Sequence, residues 1–191
     1  MGTKFSTRIW VSVVGIASIF FGSKGYADTV ISVADFGLKP DTRENAVAYV
    51  QKAIEACRGK EPVTLVFPEG RYDFWPQYAH EKNYYETNTY DVFPKRLAML
   101  FEGLHNITVD GNGSQFVMHD RIQPITVENC DGVTLKNFSI DWDIPLTAQA
   151  RVTKVGSDFF EIEINVLESP YIIEDGKLVF VGEGWKSALG S

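Results

Sequence analysis

Residues 99–117, MLFEGLHNITVDGNGSQFV, can be laid over residues 125–143, ITVENCDGVTLKNFSIDWD, at an offset of 26, and the apolar positions then coincide. Phe101 meets Val127, Glu102 meets Glu128, Ile107 meets Val133, Thr108 meets Thr134, Val109 meets Leu135 and Phe116 meets Trp142. A repeat of this length marks stacked units, none of which can bury its apolar face alone. Within the second copy the apolar parity switches. Val133 and Leu135 are odd, whereas Phe138, Ile140, Trp142 and Ile144 are even. A strand, a tight corner and a second strand need such a switch across Lys136-Asn137 if inward side chains are to stay inward. Asp-Gly-Asn-Gly at 110–113 occupies the same corner in the first copy and reads as turn chemistry; it lacks the ligand series of a calcium loop. Asn106, Asn112 and Asn137 each begin an Asn-x-Ser/Thr triplet. Turn propensity explains all three, and no glycosylation is assigned.

Ahead of the repeat, VISVADF at 30–36 alternates as a short strand does, and GLKPD breaks it. Asp41 with Glu44 three residues on has the form of a capping box, after which Ala46, Val47, Val50, Ala53, Ile54 and Cys57 share one helical face and Gly59 provides the stop. A continuous apolar strand is expected over Val63 to Phe67, then a Pro-Glu-Gly turn and a second strand from Arg71. Cys57 and Cys130, far apart in the chain, are expected to be free thiols, and they form no metal-ligand cluster.

From Ala148 the period changes. QARVTKV, GSD and FFEIEINV read as an antiparallel hairpin, with Phe160, Ile162, Ile164 and Val166 alternating against Glu161, Glu163 and Asn165. A second pair surrounds the Asp-Gly of YIIEDGKLVFV. Sandwich or barrel patterning of this kind places a boundary near residue 147.

Residues 1–27 have the form of a secretory signal peptide: Lys4 and Arg8, an apolar run too short to span a bilayer comfortably, and Gly-Tyr-Ala before a cleavage point after Ala27. The expected location is therefore secreted or periplasmic, with no membrane attachment after cleavage. Removing Lys4, Arg8 and Lys24 takes the formal charge from 18 − 25 = −7 to 15 − 25 = −10. An acidic product of this kind is a poor partner for nucleic acid or anionic surfaces.

The parity that sends Trp142 inward sends Asp141 and Asp143 outward together, with Cα atoms about 6.6 Å apart from the strand rise. Inverting glycosidases hold two carboxyl groups about 6.5 to 9.5 Å apart, so the pair suits that chemistry, and it equally suits a solvated polar face. A second candidate is FWPQYAHEKNYYETNTYDVF, residues 74–93, which carries Trp75, Tyr84 and Tyr85 among its rings without helical or strand period. Long aromatic segments of this kind are functional or packed by their own rings. The sequence has no Gly-rich phosphate loop, His-Glu-x-x-His or Gly-x-Ser-x-Gly, and His80, His105 and His119 are scattered along it.

The order strand, Asp-Phe-Gly, helix, apolar strand, FPEGRY resembles the opening of the pectate-lyase-like β-helix proteins. At RYDFWPQYAHEKNYYETN, at ITVDGNGSQFVMHDRIQPITVENCDGVTLKNFSIDWDIP and at AQARVTKV, the chain resembles the N-terminal portion of glycoside hydrolase family 110, exported bacterial α-1,3-galactosidases. The resemblance implies an all-β fold: a right-handed parallel β-helix over 28–147, with the amphipathic helix capping its N-terminal end, and the start of an antiparallel β-barrel insert over 148–191. It implies metal-independent, inverting removal of terminal α-1,3-linked galactose from an oligosaccharide, of blood-group-B or linear type, with no cofactor. The family's catalytic aspartates belong to later coils, so no catalytic residue is assigned here, and the chain alone is expected to be inactive. Asp141, Asp143, Tyr84, Tyr85 and Trp75 are the substrate-binding candidates. A pectate lyase or galacturonase of the same fold, or a non-catalytic carbohydrate-binding β-helix, are the alternative readings; no Arg/Lys cluster near the outward aspartates is expected.

Overall fold

The computed structural model describes residues 29–83 and 94–188, so the signal-peptide segment 1–27 and both Tyr84 and Tyr85 lie outside the described residues. β1 (Thr29–Ser32) ends sooner than its alternation suggests, because Val33–Phe36 closes into a 3-10 turn. Ser32 accepts from the Ala34 N–H, and Asp35 reaches back to the Ser32 N–H. That reciprocal cap satisfies two orphan donors.

α1 (Val47–Cys57) buries the expected face, Val47, Val50, Ala53, Ile54 and Cys57, but its N-terminus is not at Asp41. Asp41 has φ 61, and its carboxylate accepts from the Arg71 N–H at 2.9 Å. The Val47 N–H is met instead by the Asn45 side chain at 3.1 Å. Residues 41–46 run alongside the strand that begins at Arg71: the Asp41 and Ala46 N–H groups each donate at 2.8 Å, to the carbonyls of Arg71 and Asp73. Ladder bonds to that neighbour displaced the helix start that the capping pattern alone suggested.

β2 (Val63–Val66), the corner at 67–70 and β3 (Arg71–Phe74) follow, then β4 (His80–Lys82), β5 (Lys95–Glu102), β6 (His105–Met118), β7 (Gln123–Glu128) and β8 (Asp131–Trp142). β4 pairs antiparallel with β5, His80 opposite Leu97, so part of the aromatic stretch is a strand. The other contacts among these strands are parallel. β1 pairs with β2, β2 and β3 both pair with β6, β6 with β8, and β5 with β7. The repeat offset of 26 is seen directly: Phe101 faces Val127, Glu102 faces Glu128, and Ile107 faces Val133.

Beyond the corner the register changes. Ser114 faces Phe138, Phe116 faces Ile140 and Met118 faces Trp142, an offset of 24. Phe116 therefore does not meet Trp142. Three residues, Gly111 to Gly113, turn the corner of β6 where Asn137 alone turns that of β8, and the difference of two is the shift. Asn106, Asn112 and Asn137 all have left-handed φ, of 50, 50 and 60, which confirms the turn reading of the three triplets. At Gly111 a Cβ would lie 2.5 Å from Phe138 Cβ, so the corners stack closely only because that position lacks a side chain.

Both halves of β6 are inward-facing as the parity switch requires: Ile107 and Val109 before the corner, and Ser114, Phe116 and Met118 after it, are buried. Phe67, Phe74, Phe116 and Phe138 form one aromatic stack, with Phe116 centred 4.7 Å from Phe67, 5.6 Å from Phe74 and 4.8 Å from Phe138. Each such ring, fully buried, contributes about 1.5–3 kcal/mol relative to exposure. Trp142 is half-buried against this core, with its indole N–H donating to the Asp120 carbonyl at 3.2 Å. Leu135 and Ile140 point the same way yet stay 40% and 37% exposed, because no described strand lies on the far side of β8.

β9 (Arg151–Val155) and β10 (Phe160–Glu163) form the expected hairpin, and β11 (Tyr171–Glu174), β12 (Lys177–Val181) and β13 (Lys186–Ala188) an antiparallel three-stranded sheet. Val179 and Phe180 are buried, whereas Val152, Phe160 and Ile173 remain largely exposed. Apart from α1 and the 3-10 turn, regular structure among the described residues is all β, distributed over a five-stranded sheet and three smaller ones. No described helix is long and apolar enough to cross a membrane. Cys57 and Cys130 are free thiols, and burial pushes the Cys57 thiol up to about 11.

Candidate functional site: an ionic network on the outward ladder face

Tyr72 and Phe74 point into the core, which sends Arg71 and Asp73 outward. The parallel register then aligns Asp73 with Val117 and Asp141. One outward position further on, Trp75, His119 and Asp143 follow, with the alignment carried past the strand ends by His119 N–H to Phe74 C=O at 2.9 Å and Asp143 N–H to Met118 C=O at 3.1 Å. Segment 41–46 brings Arg43 to the same face.

These side chains are joined. Arg71 Nη2 donates to Asp73 Oδ1 at 2.6 Å and to Asp143 Oδ1 at 2.7 Å, while its Nε lies 3.0 Å from Asp73 Oδ2. Arg43 adds a second guanidinium 3.6 Å from Asp143. His119 stands between two carboxylates, its Nε2 2.9 Å from Asp73 and its Nδ1 2.7 Å from Glu183. A carboxylate only accepts, so both contacts are satisfied when both ring nitrogens carry protons. Glu183 also accepts from the Asp120 N–H at 3.1 Å. Trp75 lies flat on the His119 ring, 3.8 Å away and tilted by 8°.

Asp73 has a fully buried side chain, which pushes its carboxyl up, but hydrogen bonds from Arg71 and His119 together with their charges outweigh burial and hold it below the ordinary carboxylate range. Arg71 is driven further toward its charged form, chiefly by its hydrogen bond to Asp73. Two guanidinium groups, Arg43 and Arg71, and the His119 ring thus meet three carboxylates, Asp73, Asp143 and Glu183. Buried charges persist where they are paired in this way.

Asp73, His119 and Asp143 offer ligand-type atoms within 4.8 Å of one another. The Arg71 guanidinium bridges the two aspartates, and both His119 nitrogens already have partners. A cation would have to displace Arg71, so the donor set suits an ion-pair network better than a metal.

The sequence candidates divide. Asp143 is a full member of the network, whereas Asp141 is exposed and its carboxylate accepts from the Trp142 N–H at 2.8 Å. They are not an equivalent pair. Trp75 belongs to the site through its stacking on His119. Two expectations need correction: an arginine pair does face Asp143, and His119 is gathered into a network with residues 46 positions before it and 64 after it. Arg71 and Asp73 were legible in principle, since alternation with Tyr72 and Phe74 marks them as outward. Glu183 had no such signal.

Residues 148–191 match the family model of the GLAA-B beta-barrel domain I, which places the chain among proteins carrying that β-rich module. Along most of its length it is similar to particular enzymes. It is 62% identical over 163 residues to alpha-1,3-galactosidase B of Bacteroides thetaiotaomicron, a match covering 85% of this chain and 26% of the relative. Alpha-1,3-galactosidase A of Shewanella woodyi is 37% identical over 160 residues, 83% of this chain and 26% of the relative. Alpha-1,3-galactosidase B of Phocaeicola vulgatus is 35% identical over 184 residues, 94% of this chain and 29% of the relative. The chain is a homologue of the α-1,3-galactosidases and spans roughly a quarter of the length of these relatives.

Proposed function

We propose that the protein of which this chain forms part hydrolyses terminal α-1,3-linked galactose from oligosaccharides, blood-group-B-like or linear, with inversion and without a metal or cofactor. The observation that carries this reading is the 62% identity over 163 residues to an alpha-1,3-galactosidase B. The parallel ladder β2–β6–β8, continued by β3 and β8 on either side of β6 beyond the corner, supports a right-handed parallel β-helix. The family match over 148–191 supports a barrel insert beginning there. Residues 1–27 act as a signal peptide, and the protein works outside the cytoplasm.

The ionic network plays a structural part in this scheme. Arg71 and His119 are both engaged by carboxylates, so the network holds the outward face rigid while the general acid and base come from elsewhere. Asp143 and Trp75 then shape the substrate cleft. The 191-residue chain expressed alone is inactive in this reading.

Galactose release from an α-1,3-galactosyl disaccharide, followed by proton NMR, tests the reading in the whole protein. First-formed galactose as the β anomer, unaffected by a chelator, is the expected result. Cleavage of a galacturonyl oligosaccharide instead, dependent on added calcium, would move the protein to the lyase and galacturonase class. The same assay on the isolated chain, with light scattering for its oligomeric state, tests the claim of inactivity.

A further inference from the structure

A cleft of about 350 Å³ opens beside the ionic network, lined by residues 75–79 together with Glu81, Arg96, Asp120 and Glu183. That volume falls within the range of small-ligand pockets. We propose that this cleft is a binding subsite for a neutral hexose unit of an oligosaccharide; the proposal deepens the galactosidase reading and rests on it for the identity of the sugar.

Three features carry the assignment. The first is that the aromatic wall is built and held. Trp75 stacks on His119, itself nearly inaccessible, and the loop that follows is pinned from behind by two side chains. Asn45 accepts from the Trp75 N–H at 3.2 Å and donates to the Gln77 carbonyl at 2.9 Å, while Gln51 of α1 donates to the Tyr78 carbonyl at 2.8 Å. Tyr78 keeps its side chain 74% exposed, with φ at 67. A loop whose backbone is held in this way gives up little freedom when a ligand packs on its rings.

The second feature is the chemistry opposite the rings. Glu183 and Asp120 present carboxylate oxygens, and Glu81 is paired with Arg96 at 3.5 Å. Aromatic faces with acceptors around them suit the C–H faces and hydroxyl donors of a sugar. With Glu81 paired to Arg96 and Glu183 to His119, Asp120 leaves the lining acidic on balance, which favours a neutral sugar over a uronate. The third feature is an orphan. Asp120 Oδ1 is buried and has no hydrogen-bond partner in the wall, where Gly184 packs so closely that a Cβ there would lie 2.3 Å from Asp120 Oδ2. Buried acceptors of this kind normally find a donor, and this one has none among the described residues.

Calorimetric titration of the whole protein with lactose, a neutral disaccharide lacking the α-1,3 linkage, tests the subsite, with digalacturonate as the anionic contrast. Saturable lactose binding is expected, weakened by about tenfold or more in Tyr78→Ala and in Trp75→Ala, with no heat from digalacturonate. Tyr78→Ala, at an exposed position, keeps the test valid if Trp75→Ala fails to fold. Lactose binding that is absent in the wild type, or unchanged in the folded variants, overturns the proposal, and so does tighter binding of digalacturonate. If α-1,3-galactosides are not hydrolysed but lactose still binds through Tyr78, the subsite stands and the galactosidase reading falls.

Discussion

Glu183 and His119 stand 64 positions apart in the chain and meet through Oε1 and Nδ1 at 2.7 Å. One belongs to the turn between β12 and β13, the other follows directly on the end of β6. Their contact ties the antiparallel C-terminal segment to the parallel ladder, and it continues through Asp73 to Arg71 and Asp143. Glu183→Ala removes the partner of Nδ1 and of the Asp120 N–H together, so a loss of about 1–3 kcal/mol is expected in chemical denaturation. Glu174→Ala breaks only the exposed pair with Lys186 and should cost below about 0.5 kcal/mol. Equal effects of the two substitutions would show that the contact is not a tether.

Asp73 is the buried centre of the network, and Asp73→Asn leaves Arg71 and His119 short of a charge partner. A destabilisation of about 3 kcal/mol is expected. Because the folded carboxyl is held below its ordinary range, the unfolded chain binds the proton more readily. The stabilisation is complete above the unfolded value of about 3.9 and is lost as the pH falls through the lower folded value. Denaturation midpoints measured from pH 6 down to pH 3 should therefore fall less steeply in Asp73→Asn than in the wild type.

Asp141 and Asp143 separate by substitution. Asp141→Asn should leave both stability and turnover near wild type, whereas Asp143→Asn weakens the hold on Arg71 and costs about 1 kcal/mol with turnover retained. A loss of turnover of about 10³-fold or more in either variant, with the fold intact, would identify a general acid or base and overturn the non-catalytic reading of that aspartate.

Asn106 takes the left-handed conformation at the start of β6. Asn106→Gly should be nearly neutral, and Asn106→Val should cost about 1–2 kcal/mol, since a β-branched side chain crowds the backbone at positive φ. Urea midpoints of the two variants check this, and an equal cost would mean that side-chain contacts, not the backbone, set the choice of residue.

Much of the ladder is legible in the order of residues itself. The offset between Ile107 and Val133, the inward helix face from Val47 to Cys57 and the turn role of Asn106, Asn112 and Asn137 all follow from local periodicity and local backbone preference. The departures have one cause in common: contacts between segments override local pattern. Asp41 has the form of a helix cap, but its carboxylate accepts from the Arg71 N–H instead. Phe116 and Trp142 coincide in a gapless alignment, but corners of three residues and of one shift every pair beyond them by two.

Sequence alone determined which side chains face inward, because burial along a strand has a period of two and a misplaced parity would expose every ring of the Phe67, Phe74, Phe116 stack. It determined the change of architecture after Ala148 for the same reason. Only the tertiary structure decided that Arg71, Asp73, His119, Asp143 and Glu183 are one unit. No period relates positions 71, 119 and 183; they meet because parallel register aligns the ends of β3, β6 and β8, and because a turn from a different sheet arrives beside them. Opposite charges brought together in a partly dry setting then hold one another in place, and the energy of that pairing depends on distances that the order of residues does not contain.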